Sequence, residues 1–247
     1  MMTRGCFTVI TNKYMAAETY MMTLSGNTSS LKTPGQFVNI SVNGFFLRRP
    51  LCAADWDENG ITLIYTVVGS GTEILSKMKE DESLDILVGL GNGYDLEAAR
   101  GKKTALVAGG AGVAPFLGIA RRFREWGERF TVVLGFNDKD SVLGREELAR
   151  YCSDIRISTD NGSYGVRGNV TDILRDMDYD YYFACGPEAM LKALHALKKE
   201  GQISLDARMG CGFGVCMGCS REMKTGSKRI CVDGPVFLSS EVTFDDE

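Results

Sequence analysis

Four of the chain's eight cysteines crowd into 21 residues as Cys211-x4-Cys216-x2-Cys219-x11-Cys231, within the segments MGCGFGVCMGCS and KRICVDGP. Four thiolates gathered in one short glycine-rich segment can hold the two irons of a [2Fe–2S] cluster. A disulfide framework belongs to short secreted chains. This chain has 247 residues and begins MMTRGCFTVI, without the charged and apolar regions of a signal peptide. In a reducing compartment such clustering points to metal, and C-x4-C-x2-C with a more distant fourth cysteine is the spacing of a plant-type [2Fe–2S] cluster. Gly210, Gly212, Gly214 and Gly218 support that reading, because a loop without Cβ atoms wraps closely and turns backbone N–H groups toward sulfur. The alternative is a structural zinc site, which usually shows two C-x2-4-C halves where this segment has one short pair. The expected ligands are Cys211, Cys216, Cys219 and Cys231. Cys6, Cys152 and Cys185 are expected to be buried small hydrophobes.

His195 is the chain's one histidine, which removes most Ser-His and His-ligated zinc mechanisms. Chemistry must therefore come largely from cofactors. His195 lies beside the apolar stripe of Met190, Leu191, Leu194 and Leu197 and reads as a surface or rim residue. With 44% hydrophobic and 24% charged residues, the composition is that of an ordinary soluble globular protein. A net charge of -4 leaves no broad positive field, which argues against nucleic acid and anionic membranes as partners. Arg121, Arg122 and Arg124 read as one solvated helix face. No apolar stretch approaches the roughly 18 residues of a membrane span, so the expected location is the cytoplasm.

Along the chain the pattern changes twice. From Phe7 to about Val88 there are short β-type runs, FTVI, QFVNISV, ITLIYTVV and LDILV, punctuated by Pro34-Gly35, Asn43-Gly44 and Asn59-Gly60. They predict an N-terminal antiparallel β-barrel over residues 1–98. Strand and helix then alternate: TALVA, FLGIARRFREWG, TVVLGF, REELARY, DIRIST, YDYYFACGP and a helix over LKALHALKKE. This predicts a Rossmann-like α/β domain with a parallel sheet over 99–204, and the cysteine loop forms a small third domain over 205–247.

Gly109-Gly110-Ala111-Gly112-Val113-Ala114-Pro115 lies between a strand and a helix, where small residues let a pyrophosphate approach the backbone. It is not the G-x-G-x-x-G fingerprint, and a plain tight turn also explains it. Ala184-Cys185-Gly186-Pro187 ends another strand at the same carboxyl edge of the sheet, so the two turns reinforce each other. In the barrel half, Arg48-Arg49-Pro50-Leu51-Cys52 and Tyr65-Thr66-Val67-Val68-Gly69-Ser70-Gly71-Thr72 offer an arginine and a glycine-rich turn to a phosphate, although a β-bulge or an exposed pair of arginines also explains the RRP triplet. Asp138 and Asp140, following the strand TVVLGF, suit a ribose 2′-hydroxyl, which would favour NADH over NADPH.

Taken in order, these pieces resemble the ferredoxin-reductase superfamily. Within it the chain is similar to the electron-transfer subunits of class 1B dihydroorotate dehydrogenases, through RRPLC, VVGSGT, GLGNGYDL, GGAGVAPF, TDNGSYGVRGNV, ACGPEAMLKAL, CGFGVCMGC and CVDGPVF. The resemblance implies FAD, NAD and a [2Fe–2S] cluster as cofactors. It sets Arg49 on the FAD phosphate, Pro50, Leu51 and Cys52 beside the flavin ring, Tyr65 and Val67 in the flavin motif, and Gly69, Gly71 and Thr72 over the pyrophosphate. Gly109, Gly110, Gly112, Cys185, Gly186 and Pro187 fall to the nicotinamide dinucleotide. Cys52 is a departure, because the superfamily usually has Ser or Thr there and a thiol is a weaker donor.

No residue of this chain is assigned a catalytic role beyond that flavin-adjacent Cys52. The implied partner is a catalytic, FMN-containing subunit that oxidises dihydroorotate in pyrimidine biosynthesis, in a heterotetramer of two plus two chains. Electrons would reach NAD+ from it through the cluster and FAD. The rivals are a subunit of the sulfide dehydrogenase or ferredoxin:NADP+ transhydrogenase type, whose cluster motif departs from four cysteines, and a zinc-bearing interaction module.

Overall fold

The computed structural model describes residues 2–244. Strands β1 (Thr3–Ala16), β2 (Thr19–Ser25), β3 (Phe37–Ile40), β4 (Arg49–Trp56), β5 (Gly60–Thr66) and β6 (Ser83–Leu90) close an antiparallel barrel in the order β1-β2-β5-β4-β3-β6. Period-two alternation drives the closure. In β1, Phe7 and Val9 are fully buried with Met22, Leu24 and Leu63, while the residues between them face outward. The same alternation corrects the expectation for Cys6, which is exposed because its neighbour Phe7 takes the inward position. A short helix, α1 (Ser70–Ser76), joins β5 to β6.

The second half is a sheet of β7 (Thr104–Gly109), β8 (Phe130–Phe136), β9 (Ile155–Thr159), β10 (Val166–Arg167), β11 (Tyr181–Cys185) and β12 (Glu200–Ser204), with α2 (Ala114–Trp126), α3 (Arg145–Ala149), α4 (Val170–Arg175) and α5 (Glu188–His195) on the crossovers. These strands are parallel, in the order β10-β9-β8-β7-β11-β12. The sequence order therefore reverses between β7 and β11, which makes a topological switch point at their carboxyl ends. The cysteine segment holds a small hairpin of β13 (Ser220–Arg221) and β14 (Lys228–Arg229), then returns β15 (Val236–Leu238) antiparallel to β12. The cluster segment thus shares the sheet's core through Val236 and Phe237.

Two further expectations are corrected. The last helix ends at His195, and Glu200 already opens β12. Lys198, at φ 55, turns the chain there, and the polar tail LKKE has no apolar repeat to hold a further turn. Arg121 and Arg122 do not lie on a solvated face. Arg121 pairs with Asp55 of β4 at 2.8 Å, and the Arg122 guanidinium lies 4.8 Å over the Trp56 ring, so both fasten α2 to the barrel. His195 sits at a rim as expected, its Nδ1 3.1 Å from Ser239 Oγ.

Candidate functional site

The switch point gathers both small-residue turns. Gly112 packs so tightly on the Cys185–Gly186 backbone that a Cβ there would collide with the Cys185 carbonyl, so only glycine lets the turns meet. They form one wall of a cavity of about 580 Å³ whose opposite wall is Pro50, Leu51 and Cys52 of the barrel. Pro50, Leu51, Cys52, Gly109, Gly110, Gly112, Cys185, Gly186 and Pro187 all line this space, contributed by two domains. Cys52 Sγ lies 3.7 Å from the Ala53 carbonyl and 3.9 Å from that of Gln36. Burial, followed by the nearby Cys185, raises the Cys52 thiol well above its usual range, and burial pushes the Cys185 thiol up to about 12. Both stay protonated near neutral pH. They offer weak S–H donors and no charge to the cavity between the two domains.

Beside Pro50, the barrel rim carries the phosphate candidates. The Arg49 guanidinium lies 4.4 Å over the Phe45 ring and against Gly71, where any Cβ would strike it. Gly71 therefore fits a turn over which an arginine reaches. Thr72 accepts a hydrogen bond from Val68 N and donates one to Gly69 O, both at 3.0 Å, which holds the turn's shape. Arg48 faces away, its Nη2 3.0 Å from Asp85 Oδ2 and its Nη1 donating to the Asp85 carbonyl. Val67 donates to Glu18 O. Tyr65 is not at the cavity. Its ring is buried in the barrel core and its hydroxyl donates to Asn12 Oδ1 at 3.0 Å.

A second cavity of about 350 Å³ continues past Gly109, Gly110, Ala111 and Pro187 to the ends of β8 and β9, where Asn137, Ser141 and Asp160 line it. Asp138 is committed elsewhere: its Oδ1 accepts from Ser141 N at 2.9 Å and from Ser141 Oγ at 2.8 Å, closing its own turn. Neither it nor Asp140 lines the cavity, and Asp160 stands there in their place. Sequence reading missed Asp160, and also Ser204, Asp206 and Arg221 in the larger cavity. Arg221 comes from the cysteine segment and pairs with Glu188 at 2.7 Å. Asp160 lies in the segment TDNGSYGVRGNV that carries the resemblance, whereas nothing in the local sequence context marks Ser204, Asp206 or Arg221 as a site residue.

The cysteine loop has Cys211 and Cys216 toward the surface and Cys219 and Cys231 buried beneath. Three backbone N–H groups, of Phe213, Val215 and Cys216, point at Cys211 Sγ from 3.5, 3.3 and 3.4 Å, and Cys211 N points at Cys216 Sγ from 3.4 Å. Burial works against ionisation of Cys211, but the amides of Cys216, Phe213 and Val215 outweigh it and bring the thiol to about 6. Burial, then the Cys219 thiol, pushes Cys231 up to about 12. Cys211 and Cys216 are joined by N–H···S contacts in both directions, and the Cys219 and Cys211 thiols both bear on Cys231. Among the described residues, no three His, Cys, Asp or Glu side chains converge closely enough to hold one metal ion. Four thiols on one loop, with backbone N–H groups aimed at two of the sulfurs, are a donor set that could hold a [2Fe–2S] cluster.

Fold and site together define a nicotinamide-dependent flavin reductase of the ferredoxin-reductase type that carries its own iron–sulfur segment. Residues 206–243 match the iron–sulfur cluster binding domain of dihydroorotate dehydrogenase B, and residues 106–196 match the oxidoreductase NAD-binding domain. The dihydroorotate dehydrogenase B (NAD(+)) electron transfer subunit of Fusobacterium nucleatum subsp. nucleatum is 39% identical over 95% of this chain and 96% of its own length, and that of Geobacillus sp. is 40% identical over 98% and 99%. Among solved structures, the NADH-dependent reduced ferredoxin-NADP oxidoreductase superposes with a TM-score of 0.86 at 30% identity, over 97% of this chain and 90% of that one. Phthalate dioxygenase reductase shares the fold, with a TM-score of 0.65 at 15% identity over 90% and 86%. The chain belongs to the family of dihydroorotate dehydrogenase B (NAD(+)) electron transfer subunits.

Proposed function

We propose that this chain carries electrons between a catalytic, FMN-containing subunit that oxidises dihydroorotate and NAD+, within an assembly of two plus two chains in the cytoplasm. When bound, FAD exchanges a hydride with the nicotinamide and single electrons with the [2Fe–2S] cluster. The observation that carries the reading is that one chain holds a cavity lined by barrel and sheet at the switch point and four cysteines on a loop whose outer residues are exposed.

In this reading the residues divide the work. Arg49, with the turn at Gly69, Gly71 and Thr72, binds the FAD pyrophosphate, while Pro50, Leu51 and Cys52 border the ring. Gly109, Gly110 and Gly112 let the dinucleotide lie against backbone, and Cys185, Gly186 and Pro187 bound the nicotinamide. Cys211, Cys216, Cys219 and Cys231 hold the cluster, and the units divide near residues 98 and 204. Phe213, Val215, Met217 and Val232 are exposed around the loop and supply an apolar face on which the catalytic subunit can dock. That face supports the dihydroorotate dehydrogenase reading, as does the intact set of four cysteines, from which the resemblance implies that the transhydrogenase and sulfide dehydrogenase types depart.

The test is reconstitution. The purified chain should reduce artificial acceptors with NADH yet leave dihydroorotate untouched until the catalytic subunit is added, because proton abstraction from a carbon acid needs a placed base and a substrate pocket of its own. Dihydroorotate oxidation by the chain alone would refute the reading. Coupling only to a different oxidoreductase would favour the rival types.

A further inference from the structure

Asn39 stands in β3, between β4 and β6 of the barrel, and is 1% exposed. Its Nδ2 donates to the Cys211 carbonyl at 2.9 Å, across 172 residues of sequence. Its Oδ1 is buried and has no hydrogen-bond partner among the described residues. Packing alone does not select such a residue, since an apolar side chain would fill the site without an orphaned acceptor. What needs the amide is the bond to Cys211.

The loop is shaped to receive it. Gly212 has φ +79, and a Cβ there would lie 2.6 Å from Asn39 Nδ2, so the loop's first peptide rests directly on the side chain. The next N–H groups in the chain, those of Phe213, Val215 and Cys216, are the ones that point at Cys211 Sγ. Phe37, two residues before Asn39 and on the same face of the strand, lies 3.8 Å from that same Gly212 Cβ position and also lines the flavin–nicotinamide cavity. One strand therefore touches both redox sites.

We propose that Asn39 is a positioning residue for the electron path. Its amide pins the first peptide of the cluster loop to the flavin barrel, aims the loop's N–H groups at Cys211, and fixes the loop's place relative to the flavin cavity. The proposal rests on the functional reading above. Hydrogen bonds to cluster sulfur stabilise the more negative, reduced state and raise its potential, so loosening the loop lowers it.

The experiment compares the full chain, loaded with FAD and cluster, as wild type, Asn39→Leu and Asn39→Asp. A redox titration followed by electron paramagnetic resonance should show a lower midpoint potential in both variants. Stopped-flow reduction by NADH should show flavin reduction at the wild-type rate and onward reduction of the cluster slowed about ten- to a hundredfold, the usual effect of losing an outer-shell partner. In the cluster-free chain Asn39→Leu relieves one orphaned acceptor, Asn39 Oδ1, and leaves another, the Cys211 carbonyl, so its melting temperature should change little, and the potential and transfer rate carry the test. A wild-type potential and transfer rate in Asn39→Leu would overturn the proposal. So would an equal slowing of NADH-to-flavin reduction, which would make Asn39 a support of the barrel alone. Should the Asn39 variants fail to fold, Gly212→Ala presses on the amide from the loop side and must give the same fall in potential, and a wild-type value there overturns the proposal too. Failure of the functional reading shows differently, as a wild-type chain with no signal from a reduced cluster, and takes the proposal with it.

Discussion

Neighbouring arginines on one strand have opposite fates, because successive side chains point to opposite faces. Arg48 is bound to Asp85, whereas Arg49 lies on the Gly71 turn. Arg49→Ala should therefore lose FAD on gel filtration far more readily than Arg48→Ala, and equal loss of flavin absorbance in the two would count against the assignment. Arg48 acts on stability instead. The Asp85 carboxyl is held down to about 2, first by its hydrogen bond with Arg4 and then by that with Arg48. A folded-state pKa below the unfolded one adds stability that is present above about pH 4 and is lost as the pH falls through the folded value. Both partners reach solvent, so the effect is small. In Arg48→Ala, Asp85 should titrate higher, and thermal unfolding of the metal-free chain should depend less steeply on pH between those two values.

At the scale of elements, the two turns at the switch point separate steric from conformational demands on glycine. Gly112 has backbone of the neighbouring turn where a Cβ would go, whereas Gly110 has φ +53 and open space. Gly112→Ala should push β7's turn away from β11's, raise KM for NADH and destabilise by about 1–3 kcal/mol, the usual range for overpacking. Gly110→Ala should cost only about 1 kcal/mol from its backbone conformation and leave KM nearer the wild-type value. Comparable KM values in the two variants would show that the turns need not touch. The cysteine loop divides in the same way. Cys219 is buried in the core that the sheet shares with the cluster segment, and Cys216 is exposed. In the metal-free chain, Cys219→Ser should lower stability by about 1–3 kcal/mol through a buried hydroxyl, against little change for Cys216→Ser, as denaturant titration would show.

For the whole molecule, the consequence of two separated sites is that hydride exchange and electron delivery can be uncoupled. Cys216→Ser should leave NADH-to-flavin reduction largely intact while abolishing dihydroorotate-dependent NAD+ reduction in the reconstituted assembly. Simultaneous loss of both would mean that the cluster loop also builds the flavin site. The acidic group that faces the second cavity is Asp160. A carboxylate there repels a 2′-phosphate, so kcat/KM should be higher for NADH than for NADPH, and Asp160→Ser should narrow the difference. A reversed preference in the wild type would remove Asp160 from that role.

Sequence by itself determined the features that are local. The cysteine spacing, the two small-residue turns, the period-two runs of the barrel and the strand–helix alternation each lie within a few tens of residues, where spacing and backbone freedom act directly. Errors arose where local pattern was overruled. Arg121 and Arg122 looked solvated until α2 docked on β4, and Asp138 looked available until Ser141 closed its turn. Asn39 reads as one polar residue in QFVNISV, with nothing nearby to say that its amide meets Cys211. Only the tertiary structure decided which distant groups share a cavity, because barrel closure and the reversal of strand order at β7 and β11 bring together residues whose own neighbours carry no trace of the meeting.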